Sequence, residues 1–344
     1  MKTIKNYNIY IFISTLARNI IDLYSVIFLY NQNISIKNII FIYAMTYFLG
    51  FFISNVSLSL GSKVGYKYIL ILSTIITSVT FYIIHNTSNI YLISIFLSLS
   101  TFTYHPIRHL YGVKLLKYKK EIGNTLIYIY LAQLLSTYLT IKNISITYLI
   151  ILLIISIIPA LFIKKEKEQV SEKVKIPKQK IKFFFFDQFK IIFLLLEPLY
   201  LYLIENNLSF VGIFNIILTI SSIICIYFLS NKINISKKYP YINIIFTIIL
   251  ILKLNIYSKT LLLIVAFLEG IGIKANELVS TLNLYDTHIL NKEYIIISEQ
   301  IFCMTRSLIL SVIYFLPLSL KTTLYILLIG IFILSFQYKK NTLT

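Results

Sequence analysis

Charged side chains interrupt long apolar segments of this sequence. The first segment carries Arg18 and Asp22 in "TLARNIID", and the fourth carries His105, Arg108 and His109 in "TYHPIRHLYG". A guanidinium group is always charged and binds carboxylates or phosphates through paired hydrogen bonds, whereas a carboxyl group can take up and release a proton. These residue types therefore fit the binding of an anion and the movement of a proton.

Three later apolar segments also carry charges. These are Glu197 in the seventh segment, Glu269, Lys274 and Glu277 in the tenth, and Glu299 and Arg306 in the eleventh. A charge at the centre of a bilayer costs roughly 2.5–3.5 kcal/mol on insertion scales, so such residues normally face a protein interior or a wet cavity. Lys253 in the ninth segment lies near its end, where we expect it to extend to the outer boundary.

The apolar segments predict a membrane protein. The chain has 344 residues, of which 58% are hydrophobic and 13% are charged, and its mean hydropathy is +0.82. Soluble domains are about 25% charged, and about 20 apolar residues cross a bilayer as a helix. We predict an all-α polytopic fold with about twelve transmembrane helices, over 8–30, 36–60, 68–85, 90–113, 123–141, 146–163, 187–204, 209–230, 240–257, 260–281, 295–316 and 322–337.

The basic residues predict how the chain is oriented. With the N-terminus in the cytoplasm, about 22 of the 32 Lys and Arg residues fall on the cytoplasmic side and about four outside. Positive residues favour the cytoplasmic side and anionic lipid. We therefore predict a multi-pass protein of the plasma or inner membrane with both termini cytoplasmic. Anionic lipid accounts for the net charge of +19 without nucleic acid.

The longest polar stretch, 164–182, divides the chain. We predict an N-terminal six-helix bundle at 1–163, a cytoplasmic linker at 164–182 and a C-terminal six-helix bundle at 183–344. Charges within the membrane recur in the first, fourth, seventh and tenth segments, and also in the eleventh. They are absent from the third, sixth and twelfth, so polarity repeats every three segments.

A short basic loop joins the second and third segments in "LSLGSKVGYKYIL", with Gly61, Lys63, Gly65 and Lys67. This loop, the two groups of six segments and the three-segment rhythm together resemble the major facilitator superfamily. Lys63, Gly65 and Lys67 match part of that family's signature loop. Ser62 stands where the family has aspartate, and Leu58 stands where it has a first glycine.

The resemblance implies a secondary active transporter that works by alternating access. In that fold the first, fourth, seventh and tenth helices line a central cavity, whereas the third, sixth, ninth and twelfth face lipid. We predict Arg18, Arg108 and Arg306 as residues that bind a small anionic or zwitterionic solute. Asp22, Glu269 and Glu299 are the predicted proton-coupling residues, and protons the coupling ion. The chain is expected to be a monomer in the bilayer, without cofactor or metal.

Several alternatives stay open at the level of sequence. Arg18 and Asp22, four residues apart on one helix face, either form a structural ion pair or exchange partners during transport. His105 and His109 have a spacing that could hold a metal, although no acidic or Cys partner lies nearby. Glu197 could serve a kink at Pro198.

Three functions other than transport also stay open. The chain could be a membrane-embedded transferase or hydrolase, although it has no DxxxD, HExxH or GxSxG motif. It could also be a non-transporting receptor or a scaffold of the same fold. Cys225 and Cys303 fit buried apolar positions better than a disulfide or a zinc site.

Overall fold

A computed structural model describes residues 2–115, 119–142, 145–164, 178–229, 235–284 and 292–339. These residues form twelve α-helices and contain no β-strand, which confirms the all-α prediction for this part of the chain. The helices are α1 (Lys2–Asn31), α2 (Ile36–Val64), α3 (Tyr66–Asn86), α4 (Ile90–Leu115), α5 (Lys119–Ile141), α6 (Ile146–Leu161), α7 (Lys178–Glu205), α8 (Leu208–Leu229), α9 (Ile235–Asn255), α10 (Lys259–Leu284), α11 (Lys292–Phe315) and α12 (Leu320–Lys339).

Every predicted segment lies on one of these helices. The largest difference is at α7, which begins at Lys178, so residues 178–182 of the predicted linker are helical. Residues 165–177 of that linker lie outside the described residues.

Five helices in the described part of the chain are long and apolar enough to cross a membrane: Ile36–Val64, Tyr66–Asn86, Ile90–Leu110, Leu208–Phe228 and Glu293–Phe315. α1 is a sixth if its parts Ile4–Asp22 and Tyr24–Asn31, which meet at 46°, form one bent span. Shorter apolar helices of 10–17 residues occur in α5, α6, α9 and α12. A multi-pass membrane protein is thus supported, and the number of twelve spans stays a prediction.

Short polar loops begin several helices by capping their free N–H groups. Ser35 Oγ accepts a hydrogen bond from the N–H of Asn38 at 3.2 Å. Asn89 Oδ1 accepts two, both at 3.1 Å, from residues 91 and 92. Asn207 Oδ1 accepts two more from residues 209 and 210. A cap of this kind stabilises a helix start by roughly 1 kcal/mol, so the loops fix where α2, α4 and α8 begin.

The helices group into two compact units. Unit 1 is Met1–Lys175 with Leu290–Phe315, and unit 2 is Ile176–Ile289 with Leu316–Thr344. In unit 1, α2 packs chiefly against α4 and α11, α1 against α5 and α6, and α3 against α4 and α6. In unit 2, α10 packs against α8 and α9, and α12 against α7 and α9. In this grouping α11 belongs to unit 1, because it packs along α2, and the six-and-six division of the chain stays a prediction.

The surface of α2 is apolar on one side. Phe48, Phe52, Val56, Leu60 and Val64, each four residues after the last, are all exposed. The buried residues of α2 include two glycines and two serines between Gly50 and Gly61, beside larger side chains such as Tyr47 and Leu58. An apolar outer stripe together with small buried residues is typical of a helix in lipid that packs closely on its neighbours.

Glycines allow this close packing at particular contacts. A Cβ at Gly50 would overlap the ring of Phe102 from α4. At Gly270 it would overlap the Leu218 carbonyl and the Ser221 hydroxyl of α8. At Gly270, α8 therefore lies directly against α10.

Candidate functional site

Arg18 is buried inside unit 1, with 4% of its surface exposed. Its Nη1 donates to the carbonyl oxygen of Ser100 at 3.3 Å and to the Ser100 hydroxyl at 3.4 Å. Its Nη2 donates to the Ser73 hydroxyl at 3.1 Å. The guanidinium carbon lies 3.9 Å from the centre of the Tyr104 ring. Arg18 therefore joins α1 to α3 and α4 through hydroxyl groups, a carbonyl and an aromatic face.

The hydroxyl groups around Arg18 form a connected chain. The hydroxyls of Ser100 and Thr77 lie 2.8 Å apart, and Thr77 donates to the carbonyl of Ser73 at 2.7 Å. Ser73 in turn donates to the carbonyl of Leu70 at 2.7 Å. Each hydroxyl can thus accept from one side and donate to the other. These polar groups replace part of the water that the buried guanidinium has lost, whereas Arg18 Nε has no hydrogen-bond partner in the described part of the chain.

Asp22 lies one turn after Arg18, where α1 bends. Its side chain is exposed, and the described part of the chain shows no ion pair within 4.0 Å between Asp22 and Arg18. The two groups interact only at longer range, and Arg108 also lies within the electrostatic reach of Asp22. Of the two interpretations left open by the sequence, the closed ion pair is absent from this conformation.

Arg108 and Arg306 are half-buried in the same unit. The guanidinium carbon of Arg108 lies 5.5 Å from the centre of the Tyr104 ring, so this ring is contacted by two arginines. That of Arg306 lies 5.1 Å from the centre of the Tyr47 ring. Glu299, also half-buried, interacts electrostatically with both Arg306 and Arg108. The three predicted arginines therefore lie in one unit.

We call Arg18, Asp22, Arg108, Glu299 and Arg306 the arginine cluster. Three arginines against two carboxyl groups leave one excess positive charge even when both carboxyls are ionised. An aromatic ring stabilises a guanidinium group above it through the ring quadrupole, so the positive charge does not need to pair with a carboxylate. The cluster can therefore stay cationic inside a membrane protein and attract an anion.

Two histidines adjoin this cluster on α4. His105 interacts electrostatically with Arg108, His109, Arg18 and Arg306. Among the described residues no group of three His, Cys, Asp or Glu side chains could hold a metal ion. The pair of histidines thus has no third ligand in the part of the chain described.

Unit 2 contains a second buried cluster, the lysine triad of Lys253, Glu197 and Glu269. Lys253 Nζ donates to Glu269 Oε1 at 2.7 Å and to Glu269 Oε2 at 2.8 Å, and it also donates to Glu197 Oε1. The side chains of Lys253 and Glu269 are 0% exposed, and that of Glu197 is 5% exposed. The triad joins α9 to both α7 and α10.

The sequence-based interpretation of Lys253 was wrong. Its place two residues before the end of α9 indicated a side chain that reaches the outer boundary, but the structure turns it inward. The signal available in the sequence was indirect. Glu197 and Glu269 are charges within apolar segments that have no basic residue three or four positions away. Two such carboxylates need a cation from another helix, and Lys253 supplies it.

The predicted signature loop is compressed to a single residue. Gly65 lies between α2 and α3 with φ of 113°, a conformation that favours glycine, and its N–H donates to the Gly61 carbonyl at 2.9 Å. Lys67 Nζ donates to the carbonyl of Leu161 at the end of α6, at 3.2 Å. Lys63 is exposed in the last turn of α2. The two glycines and Lys67 thus have structural contacts here, and a role of the loop in transport stays a prediction.

Solved structures of transporters share this fold. The nucleoside transporter NupG is 12% identical, with a TM-score of 0.71 and coverage of 99% of each chain. A variant of NupG with one substitution gives 11% identity and a TM-score of 0.70, with coverage of 98% of this chain and 99% of the other. The human organic anion transporter MFSD10 (TETRAN) is 9% identical, with a TM-score of 0.69 and coverage of 98% and 99%.

These neighbours are major facilitator superfamily transporters, so the resemblance predicted from sequence is confirmed at the level of the fold. No protein-family model and no curated protein matches the chain.

Proposed function

We propose that this chain, which has the fold of major facilitator superfamily transporters, is a secondary active transporter of a small organic anion. The solute binds at the arginine cluster, and its movement is coupled to protons by alternating access. The protein acts as a monomer in the plasma or inner membrane, with both termini in the cytoplasm.

The observation that carries this proposal is the placement of arginine. The chain has three arginines among its 32 basic residues, and all three belong to the arginine cluster in unit 1. Lysine serves at every other basic position. Arginine differs from lysine in its planar group, which binds a carboxylate or phosphate through two hydrogen bonds while resting on an aromatic ring. The restriction of arginine to this cluster supports a role in binding a carboxylate or a phosphate.

The two carboxyl groups of the cluster support proton coupling. Asp22 is exposed and Glu299 is half-buried, and both lie within electrostatic reach of arginines that an anion would contact. A bound anion competes with each carboxylate for the same guanidinium groups. Protonation of Asp22 or Glu299 therefore favours binding of the anion, which links the two movements. Glu269 is a third proposed proton site, in unit 2.

The neighbours favour the same choice in part. MFSD10 is an organic anion transporter, and NupG is a nucleoside transporter. Nucleosides carry no charge at neutral pH and do not need three arginines. The excess positive charge of the cluster therefore favours the organic anion, with a nucleoside as the second candidate because NupG has the same fold.

Uptake into proteoliposomes tests the proposal. Purified protein is reconstituted and offered a radiolabelled aromatic monocarboxylate, a zwitterionic amino acid or uridine, with and without an imposed proton gradient. We expect uptake of the anion that a proton gradient raises and a protonophore abolishes. Uptake of uridine alone would overturn the choice of substrate class. Absence of gradient-driven flux for every solute would favour the receptor or scaffold alternative.

Matched variants connect that flux to the arginines. Arg306→Lys keeps the charge but loses the planar pair of donors, so the KM for the anion should rise about tenfold. Arg108→Lys should behave similarly. Lys142→Met removes an exposed positive charge at the end of α5 and serves as the control, with KM unchanged. Equal effects of all three variants would show that general surface charge, and not the cluster, determines affinity.

A further inference from the structure

The lysine triad has one negative charge more than it has positive charge when all three groups are ionised. Its three polar side chains lie on α7, α9 and α10, and none is more than 5% exposed. Glu197 and Glu269 both accept from the same ammonium group, so the two carboxyl groups lie close to each other. Two carboxylates in such contact repel each other unless a proton lies between them.

Two phenylalanine rings lie near the ammonium of the triad. Lys253 Nζ lies 5.0 Å from the ring centre of Phe193 and 5.7 Å from that of Phe214. These rings can face the ammonium but offer no hydrogen bond to a carboxylate. An excess buried negative charge would thus be poorly stabilised, and uptake of one proton removes it.

In the described part of the surrounding helices, no cation other than Lys253 forms an ion pair with Glu197 or Glu269. α8 contains no Asp, Glu, Lys, Arg or His between Leu208 and Leu229. On α7 and α10 the other charges form the neighbour pairs Lys190–Asp187 at 2.6 Å and Lys274–Glu277 at 2.6 Å. Glu205 on α7 pairs with Lys259 on α10 at 2.7 Å. On the described part of α12, Lys321 donates to the Tyr257 hydroxyl. The remaining lysines on unit 2 helices are Lys178, Lys180, Lys182, Lys237, Lys238 and Lys339.

We propose that the lysine triad is a protonation site that holds one proton between Glu197 and Glu269 in the resting protein, with Lys253 as the counter-charge of the remaining carboxylate. The ligand of this site is the proton itself, and the site is filled without any solute. The proposal does not require that the chain transports anything, so it can fail or succeed independently of the proposed function.

Infrared difference spectroscopy tests the proposal on the purified protein in lipid, without solute. A protonated carboxylic acid has a C=O stretching band well separated from that of a carboxylate, and the band shifts in D2O. Labelling with 13C-carboxyl glutamate assigns the band to Glu in the wild-type protein, so this arm does not depend on any variant. We expect one such band from the triad at neutral pH.

Single substitutions then locate the band. Glu197→Gln and Glu269→Gln each leave one carboxylate paired with Lys253, a neutral arrangement with no need for a proton. Both variants should therefore lose the same band. Glu205→Gln breaks an ordinary pair on the same helix, in which Lys259 is 62% exposed, and should leave the band unchanged.

Two results would overturn the proposal. One is a wild-type protein without a 13C-sensitive carboxylic acid band, because the triad would then be fully ionised. The other is a band that survives both single substitutions, because its proton would then reside on another glutamate. Lys253→Met is an independent check: without the ammonium both carboxyls should be protonated, and the band should grow about twofold.

Discussion

Arg18 in unit 1 and Lys253 in unit 2 are both buried cations, and their surroundings stabilise them differently. In unit 1, Arg18 contacts serine hydroxyls, a carbonyl and the ring of Tyr104. In unit 2, Lys253 contacts two carboxylates, Glu197 and Glu269. The nearest acidic residue to Arg18 along its helix, Asp22, is exposed and unpaired with it.

The difference follows from the chemistry of the two cations. A guanidinium spreads its charge over a plane, is weakly hydrated and stacks on aromatic rings, so neutral acceptors can replace its water. An ammonium is a compact, strongly hydrated point charge and needs anionic acceptors when it is buried. The arginine cluster therefore keeps an excess positive charge, whereas the lysine triad has an excess of carboxyl groups.

The largest expected effect comes from removal of both carboxylates of the triad. Glu197→Gln with Glu269→Gln leaves Lys253 as a buried charge without an anion, which should cost about 3–5 kcal/mol of stability. The yield of monodisperse protein after heating in detergent measures it. A third substitution, Lys253→Met, should restore most of the yield, because it removes the unpaired charge. A double variant as stable as the wild type would show that the ammonium does not depend on its carboxylates.

A smaller loss is expected at Arg18. Arg18→Met removes several hydrogen bonds and one cation–π contact but leaves no carboxylate unpaired, so the cost should be roughly 2 kcal/mol. Thermal unfolding of the Arg18→Met and Asp22→Asn single variants and of the double variant forms a double-mutant cycle. Because the two side chains are not paired, their effects should add to within about 0.5 kcal/mol. A larger coupling would mean that the pair forms in another conformation of the protein.

Substitution of Asp22 should affect transport but not stability. Its carboxylate is exposed and unpaired with Arg18, so Asp22→Asn should leave the unfolding temperature unchanged and lower proton-driven uptake at least tenfold, about 1.4 kcal/mol. Glu205→Gln, whose partner Lys259 is 62% exposed, is the control and should keep its flux. Uptake by the Asp22→Asn variant at the wild-type rate would remove Asp22 from the coupling proposal.

The smallest effect is expected at the pair of Glu205 and Lys259. Its lysine is 62% exposed, so water already solvates the ammonium, and Glu205→Gln should cost under about 1 kcal/mol. Thermal unfolding of the Glu205→Gln and Glu269→Gln variants is measured side by side. The two losses of stability compare a pair that has an exposed lysine with the buried triad of the same unit. A loss at Glu205 as large as that of the doubly substituted triad would indicate that burial does not distinguish the two clusters.

Much of the fold followed from hydropathy alone. Segments of about 20 apolar residues have few alternatives to a membrane helix, and all twelve predicted segments lie on helices. Hydropathy did not predict that α11 belongs to unit 1. Packing between helices depends on the shapes of their surfaces, and no sequence pattern indicated that α11 packs against α2.

The candidate site was predicted in part. Arg18, Arg108 and Arg306 stood out because a charge in an apolar segment is costly wherever it points. The partners of Arg18 did not stand out, since Ser73 and Ser100 look like any small residue at a helix contact. Lys253 was misinterpreted because distance from a helix end says nothing about which face the side chain occupies.

Gly65 also determines how motion can pass between helices. α2 ends at Val64 and α3 begins at Tyr66, so the joint has one residue and therefore only two adjustable backbone angles. Such a joint has almost no slack along the helix axes, and a sliding displacement of α2 must push or pull α3 by nearly the same amount. The remaining freedom is rotation about the φ and ψ angles of Gly65, so α2 and α3 can change the angle between them but cannot move apart at this joint.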